Sequence, residues 1–175
     1  GKSDYLVAEA DESDGSFLVY RPEVAIVTNV QPDHLDFYGT FEHVQEAYAA
    51  FAASITPGGL LVACHDDEGS RHLADLARAA GTRVLTYGWS PEADLVLSGE
   101  VFRGLMGRVD LTGPDGRTHV LRINIPGRHN LLNAAAAYAA AVEGLGQDPT
   151  RVLDGLFGFT GTRRRFEPKG TAGGG

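Results

Sequence analysis

The sequence predicts an α/β fold: a mostly parallel sheet with crossover helices, extended by a small antiparallel sheet. Three observations predict it. In the first half, short apolar runs alternate with segments of helical period, the pattern of strands joined by helical crossovers. Those runs are rich in Val, Ile and Leu, as strands buried on both faces tend to be. After Trp89-Ser90-Pro91 the apolar residues recur at every second position, which is the period of a strand.

Taken in order, Tyr5 to Ala8 is the first expected strand and Val24 to Val30 the second. Phe41, Val44, Ala47, Tyr48, Phe51, Ala52 and Ile55 then recur at steps of three and four, so one stripe of a helix starting near Thr40 faces a core. Pro57-Gly58-Gly59 ends that helix, and Leu60 to Cys64 is the third strand. Asp66 is the expected cap of the next helix, with Asp67 and Glu68 in its first turn, where the helix dipole favours negative charge. That helix should bury Leu73, Leu76, Ala77 and Ala80 and stop at Gly81 before a fourth strand, Arg83 to Tyr87. Leu95 and Leu97, Val109 and Leu111, and Leu121, Ile123 and Ile125 carry the two-residue alternation of the antiparallel part, about 93–125. Gly113-Pro114-Asp115-Gly116 is its tight connection. Helices return at Asn130 to Glu143, alanine-rich and closed by Gly144, and at Asp148 to Phe157, with Asp148 as cap and Pro149 in the first helical position.

Composition bounds the function. The chain has 175 residues and 43% apolar content, enough for one domain with a buried core, expected over 1–169. Residues 170–175 have a linker's composition. A formal net charge of -8 argues against a nucleic-acid backbone or an anionic membrane surface as the main partner. No apolar run of about 18 residues and no export signal is visible, and Cys64 is the sole cysteine, which suits a reducing cytoplasm.

Two charged clusters fall where an open parallel sheet places ligands, beyond the carboxyl ends of its strands. Glu9, Asp11, Glu12 and Asp14 follow the first expected strand; Asp33, His34 and Asp36 follow the second. A divalent cation would relieve the repulsion among these acids, and carboxylate oxygens with an imidazole suit Mg2+ or Mn2+. The same spacing also suits a solvated acidic turn. Asn130 and Asn133 share one face of a helix start and could hold a ligand, or Asn130 could simply cap that helix. Arg163, Arg164 and Arg165 could clamp phosphate, or form a solvated charge run.

Ala8-Glu9-Ala10-Asp11-Glu12-Ser13-Asp14, Val27-Thr28-Asn29, Asp33-His34-Leu35-Asp36, Gly127-Arg128-His129-Asn130-Leu131-Leu132-Asn133-Ala134 and Arg164-Arg165-Phe166 occur in the order seen in Mur ligases. The chain resembles the ATP-binding central domain of that family along essentially its whole length. The resemblance implies an ATP-dependent amide-bond ligase that activates a carboxylate as an acyl phosphate for attack by an amine. It implies Glu9 and His34 as catalytic residues and ligands of Mg2+, His129, Asn130 and Asn133 on the adenine side, and Arg165 on the phosphate side. The acidic version of the first motif is similar to that of members acting on UDP-N-acetylmuramate and L-alanine. Lys2 and Lys169 are the only lysines, so the carbamylated lysine of relatives acting on later substrates has no counterpart.

One family element is missing from the sequence. No Gly-x-x-x-x-Gly-Lys-Ser/Thr phosphate loop is present, and Gly1-Lys2-Ser3 precedes a strand pattern where a phosphate loop would precede a helix. The resemblance therefore implies part of a longer ligase, expected to be inactive alone. Two other functions remain open on the residues: a metal-dependent phosphohydrolase using Glu9, Asp33, His34 and Asp36, and a non-catalytic nucleotide-binding module.

Overall fold

The structure, a computed structural model, describes residues 5–161. Six strands form one sheet in sequence order: β1 (Val24–Val27), β2 (Leu60–Cys64), β3 (Arg83–Gly88), β4 (Leu95–Arg103), β5 (Met106–Thr112) and β6 (Thr118–Ile123). The first four run parallel to their neighbours and the last two return antiparallel. The antiparallel part is thus continuous with the parallel part. Leu95 and Val96 pair with Tyr87 and Gly88, and β4 then runs on beyond the end of β3 to carry β5 and β6.

Helices cover both faces. All five residues of β2 are buried, and their alternation divides the core in two. Leu61 and Ala63 meet α2 (Phe41–Ala53) and α3 (Glu68–Ala79) through Val44, Phe51, Leu73 and Ala77. Leu60, Val62 and Cys64 lie with the opposite core under α4 (Arg128–Ala139), whose Leu131, Ala135 and Ala139 are fully buried. Burying such a leucine is worth roughly 2 kcal/mol. The alanines bring the helix close to the sheet. A short helix α1 (Leu35–Tyr38) precedes α2, and α5 (Pro149–Gly158) lies beside β6, where Asn124 Nδ2 donates to the Phe157 carbonyl at 2.6 Å. After Ala139 the α4 helix widens into a π turn, Ala140–Gly144. Glycine is required there, because a Cβ on Gly144 would lie 2.6 Å from Val24 Cγ2.

Several expectations are corrected. Tyr5 to Ala8 is not a strand; Leu6 and Val7 are 90% and 92% exposed, and among the described residues the sheet ends at β1. An apolar run becomes a strand only where a ladder accepts its backbone, and no strand ladder among the described residues includes this run. The second strand stops at Val27 because the Val30 amide is taken by the Asp67 carboxylate at 2.9 Å, which draws the chain off the sheet. The cap of α3 is Asp67, whose Oδ1 accepts from Ser70 N at 2.8 Å, and Leu76 faces outward, 45% exposed. Helix α4 begins at Arg128, ahead of Asn130. Asp148 caps α5 as read, and α2 starts where expected, with Thr40 as its cap.

Candidate functional site

The acidic turn is built from its own backbone. Asp11 Oδ1 accepts from Ser13 N and Asp14 Oδ1 from Ser16 N, each at 2.9 Å, so both carboxylates are spent on shaping the turn that leads into a 3-10 segment, Ser16–Val19. Hydrogen bonds from the Ser13 side chain and amide hold the Asp11 carboxyl below the usual aspartate range, and Ser16 does the same for Asp14. Phe17, 2% exposed, anchors the turn between Tyr48 and Phe51, ring centroids 5.4 and 5.0 Å away. Tyr38 Oη donates to the Glu12 carbonyl at 2.5 Å. Burial and then the negative field of Glu12, Asp14 and Asp11 push the Tyr38 hydroxyl's pKa up.

His34 stands opposite this turn. It follows β1, caps α1, and is the only non-glycine residue with positive φ among the described residues, at 55°. A left-handed histidine is a local strain that surrounding contacts must hold, and such strain gathers at functional sites. Its Nε2 lies 3.5 Å from Glu12 Oε1. Glu12 is therefore the carboxylate set against the imidazole. Glu9 is exposed, and its side chain makes no hydrogen bond or ion pair within the described residues; the same holds for Asp33 and Asp36. Among the described residues no three His, Cys, Asp or Glu side chains gather into a metal-holding group, so the four-residue cage of a two-metal hydrolase is not assembled.

The donor set still fits Mg2+ of the kind bound with nucleotides, which takes one or two protein carboxylates and completes its octahedron with phosphate oxygens and water. Glu12, beside His34, offers one such carboxylate.

Two adjacent aspartates at the end of β2 tie the neighbouring loops. Asp67 accepts from Val30 N and from Gln31 Nε2 (3.3 Å), fixing the loop that carries His34. Asp66 accepts from Trp89 N (2.8 Å) and Ser90 N (3.0 Å), fixing the loop after β3. Gly88 leaves room for it, since a Cβ there would lie 2.6 Å from Asp66 Oδ1.

Helix α4 starts at the same end of the sheet. Gly127, at φ 110°, makes the entry, and the His129 ring folds back over it, 2.7 Å from where a Cβ would be. Asn130 is not the cap: it lies inside the helix and its Nδ2 donates to the Pro126 carbonyl at 2.7 Å. Asn133 is exposed, with no partner within the described residues. Arg128, which lies in the Gly127 to Ala134 motif but has no role assigned from sequence, sits over the Trp89 indole with Cζ 4.1 Å from the ring centroid, and its Nε donates to Glu100 Oε2 at 2.8 Å. These partners lie on three separate elements. Arg163, Arg164 and Arg165 lie outside the described residues.

Known proteins share this fold. The family model described as the Mur ligase middle domain matches residues 1–141. The UDP-N-acetylmuramate–L-alanine ligase of Kineococcus radiotolerans is 56% identical over 169 residues, covering 97% of this chain and 35% of its own length. The chain thus spans about a third of the curated relatives it matches. Among solved structures, the UDP-N-acetylmuramate–alanine ligase MurC of Thermotoga maritima aligns with a TM-score of 0.75 at 29% identity, over 90% of this chain and 34% of that one. MurF ligase from the same organism, solved with ADP, shares the fold at a TM-score of 0.64 and 22% identity, over 83% of this chain and 33% of that one.

Proposed function

We propose a function from one premise: the chain belongs to the Mur ligase family, whose middle-domain model matches residues 1–141. It is the nucleotide-handling domain of a longer ATP-using enzyme that joins L-alanine to UDP-N-acetylmuramate, the two substrates in the name of the relative 56% identical to it. One observation carries the reading. The acidic turn, the His34 loop and the start of α4 all open at the carboxyl end of the parallel strands, where an α/β sheet takes its ligand.

In the reaction, a substrate carboxylate attacks the γ-phosphorus of ATP, forming an acyl phosphate and releasing ADP. The amine then attacks the acyl carbon, forming the amide and expelling phosphate. A carboxylate approaching a polyphosphate meets strong repulsion. Mg2+, or Mn2+, would neutralise that charge when bound. Glu9 and His34 are its proposed ligands, and the Glu12 carboxylate, 3.5 Å from His34 Nε2, orients the ring. His129, Asn130 and Asn133 serve the adenine side, and Arg165 the phosphates. Asp11 and Asp14 hold the turn that presents Glu9 and Glu12.

The test uses the full-length protein. Phosphate release should require ATP, UDP-N-acetylmuramate and L-alanine together, and Glu9→Ala or His34→Ala should lower kcat/KM by about a hundredfold or more. Phosphate release without nucleotide would overturn the ligase reading, and full activity in both variants would overturn the residue roles. The isolated 175-residue chain, with no phosphate loop, should show no turnover.

A further inference from the structure

Arg128 is the first residue of α4, where the positive end of the helix dipole disfavours a cation. The structure holds it there from two sides. Glu100, on the part of β4 that runs beyond β3, takes its Nε at 2.8 Å, and the Trp89 indole lies under its guanidinium at 4.1 Å. Even so, 58% of its side chain is open to solvent.

The indole is itself fixed. Trp89 packs against the core beneath α4, its amide is held by Asp66 at 2.8 Å, and its Nε1 is buried with no partner among the described residues. Packing and the cation above it, and no side-chain hydrogen bond, therefore set its orientation. The result is a planar cation, pre-ordered on one face and open beyond it, at the start of the helix that carries His129, Asn130 and Asn133.

We infer that Arg128 is the stacking platform for the nucleotide's purine base, a specificity-determining residue beside the asparagines; this rests on the nucleotide reading above. A guanidinium plane stacks on nucleobases, and one already immobilised loses little further entropy in doing so. Its charge is already met by Glu100, which suits contact with a flat neutral ring better than a grip on phosphate.

Arg128→Lys keeps the charge and removes the plane, and tests the inference in the full-length protein. Two ligands are titrated: ADP, and inorganic tripolyphosphate, which has no base. The variant should bind ADP about ten-fold more weakly, the scale of one lost stacking contact, with tripolyphosphate affinity unchanged. KM for ATP should rise with kcat retained, because a stack equal in ground and transition states alters binding alone. Trp89→Phe, which keeps a ring under the guanidinium, should bind ADP like the wild type. Equal losses for both ligands would make Arg128 a phosphate contact and overturn the proposal, as would unchanged ADP affinity. A wild-type protein that binds tripolyphosphate but not ADP would overturn the nucleotide reading itself.

Discussion

Replacing Gly69 by alanine should destabilise the chain, although alanine is the better helix former. Gly69 is in the first turn of α3, and an open helical site would gain about 1 kcal/mol from the change. This site is not open. A Cβ on Gly69 would lie 2.1 Å from the Val30 carbonyl oxygen and 3.0 Å from its carbonyl carbon, both backbone atoms that cannot swing aside. An ordinary contact needs the loop after β1 to retreat by about 1 Å. That loop is held by Asp67 at the Val30 amide, 2.9 Å, so retreat stretches a charge-assisted hydrogen bond worth about 1.5–3 kcal/mol. Overpacking adds about 1–3 kcal/mol where the bond survives. Set against the propensity gain, the net loss is about 1 kcal/mol.

Gly155 is the matched control. It lies in the exposed part of α5, where an added Cβ would meet nothing within 4 Å, so Gly155→Ala should stabilise by about 1 kcal/mol. Urea unfolding of the two variants reads both signs directly, and thermal midpoints should move by about 2–4 °C per kcal/mol. A Gly69→Ala chain as stable as the wild type would refute the reasoning. It would mean that the Val30 carbonyl yields freely and that α3 does not pin the loop carrying His34.

Further expectations concern individual groups. Asp67→Ala should destabilise by about 2–4 kcal/mol in denaturant, through the lost cap and the orphaned Val30 amide, whereas Asp67→Asn, which keeps an acceptor, should cost less than half as much. Burial pushes the Cys64 thiol's pKa up, so a thiol reagent at neutral pH should label it only as fast as the chain unfolds; prompt labelling of the folded chain would contradict its placement in the core. Asp11 and Asp14 have lowered folded pKa values, so their stabilisation is present above the ordinary aspartate pKa and fades as pH falls through the folded values, below about pH 4. NMR titration should give both carboxylates early midpoints, and Ser13→Ala should raise that of Asp11 alone.

What the sequence made legible was local. The helix stripe from Phe41 to Ala52, the Asp148-Pro149 start of α5 and the fully apolar β2 each carry their signal within a few residues, and the structure has them all. The first expected strand shows the limit: Tyr5 to Ala8 has a strand's composition, but whether a ladder accepts it depends on partners that composition does not name. His34 carries only a weak mark of its left-handed backbone, because histidine is merely enriched where glycine is the usual occupant. The contacts among Trp89, Glu100 and Arg128 join three elements, so no spacing rule could have linked them.

Asp66 and Asp67 show how a small misreading hides a larger organisation. Either could have capped α3 by sequence, and choosing Asp66 leaves the other a mere first-turn acid. In the structure Asp67 caps the helix and holds the His34 loop, while Asp66 holds the Trp89 loop. The two halves of the site, the acid–histidine half and the half built on Trp89 and Arg128, are thus both referenced to the end of the most deeply buried strand. Removing Asp67 should loosen the first half and removing Asp66 the second. In the full-length enzyme, Asp67→Ala should therefore act mainly on kcat, through His34, and Asp66→Ala mainly on KM for ATP, through the indole under Arg128; equal effects on both constants from both variants would show that the end of β2 does not divide the site this way.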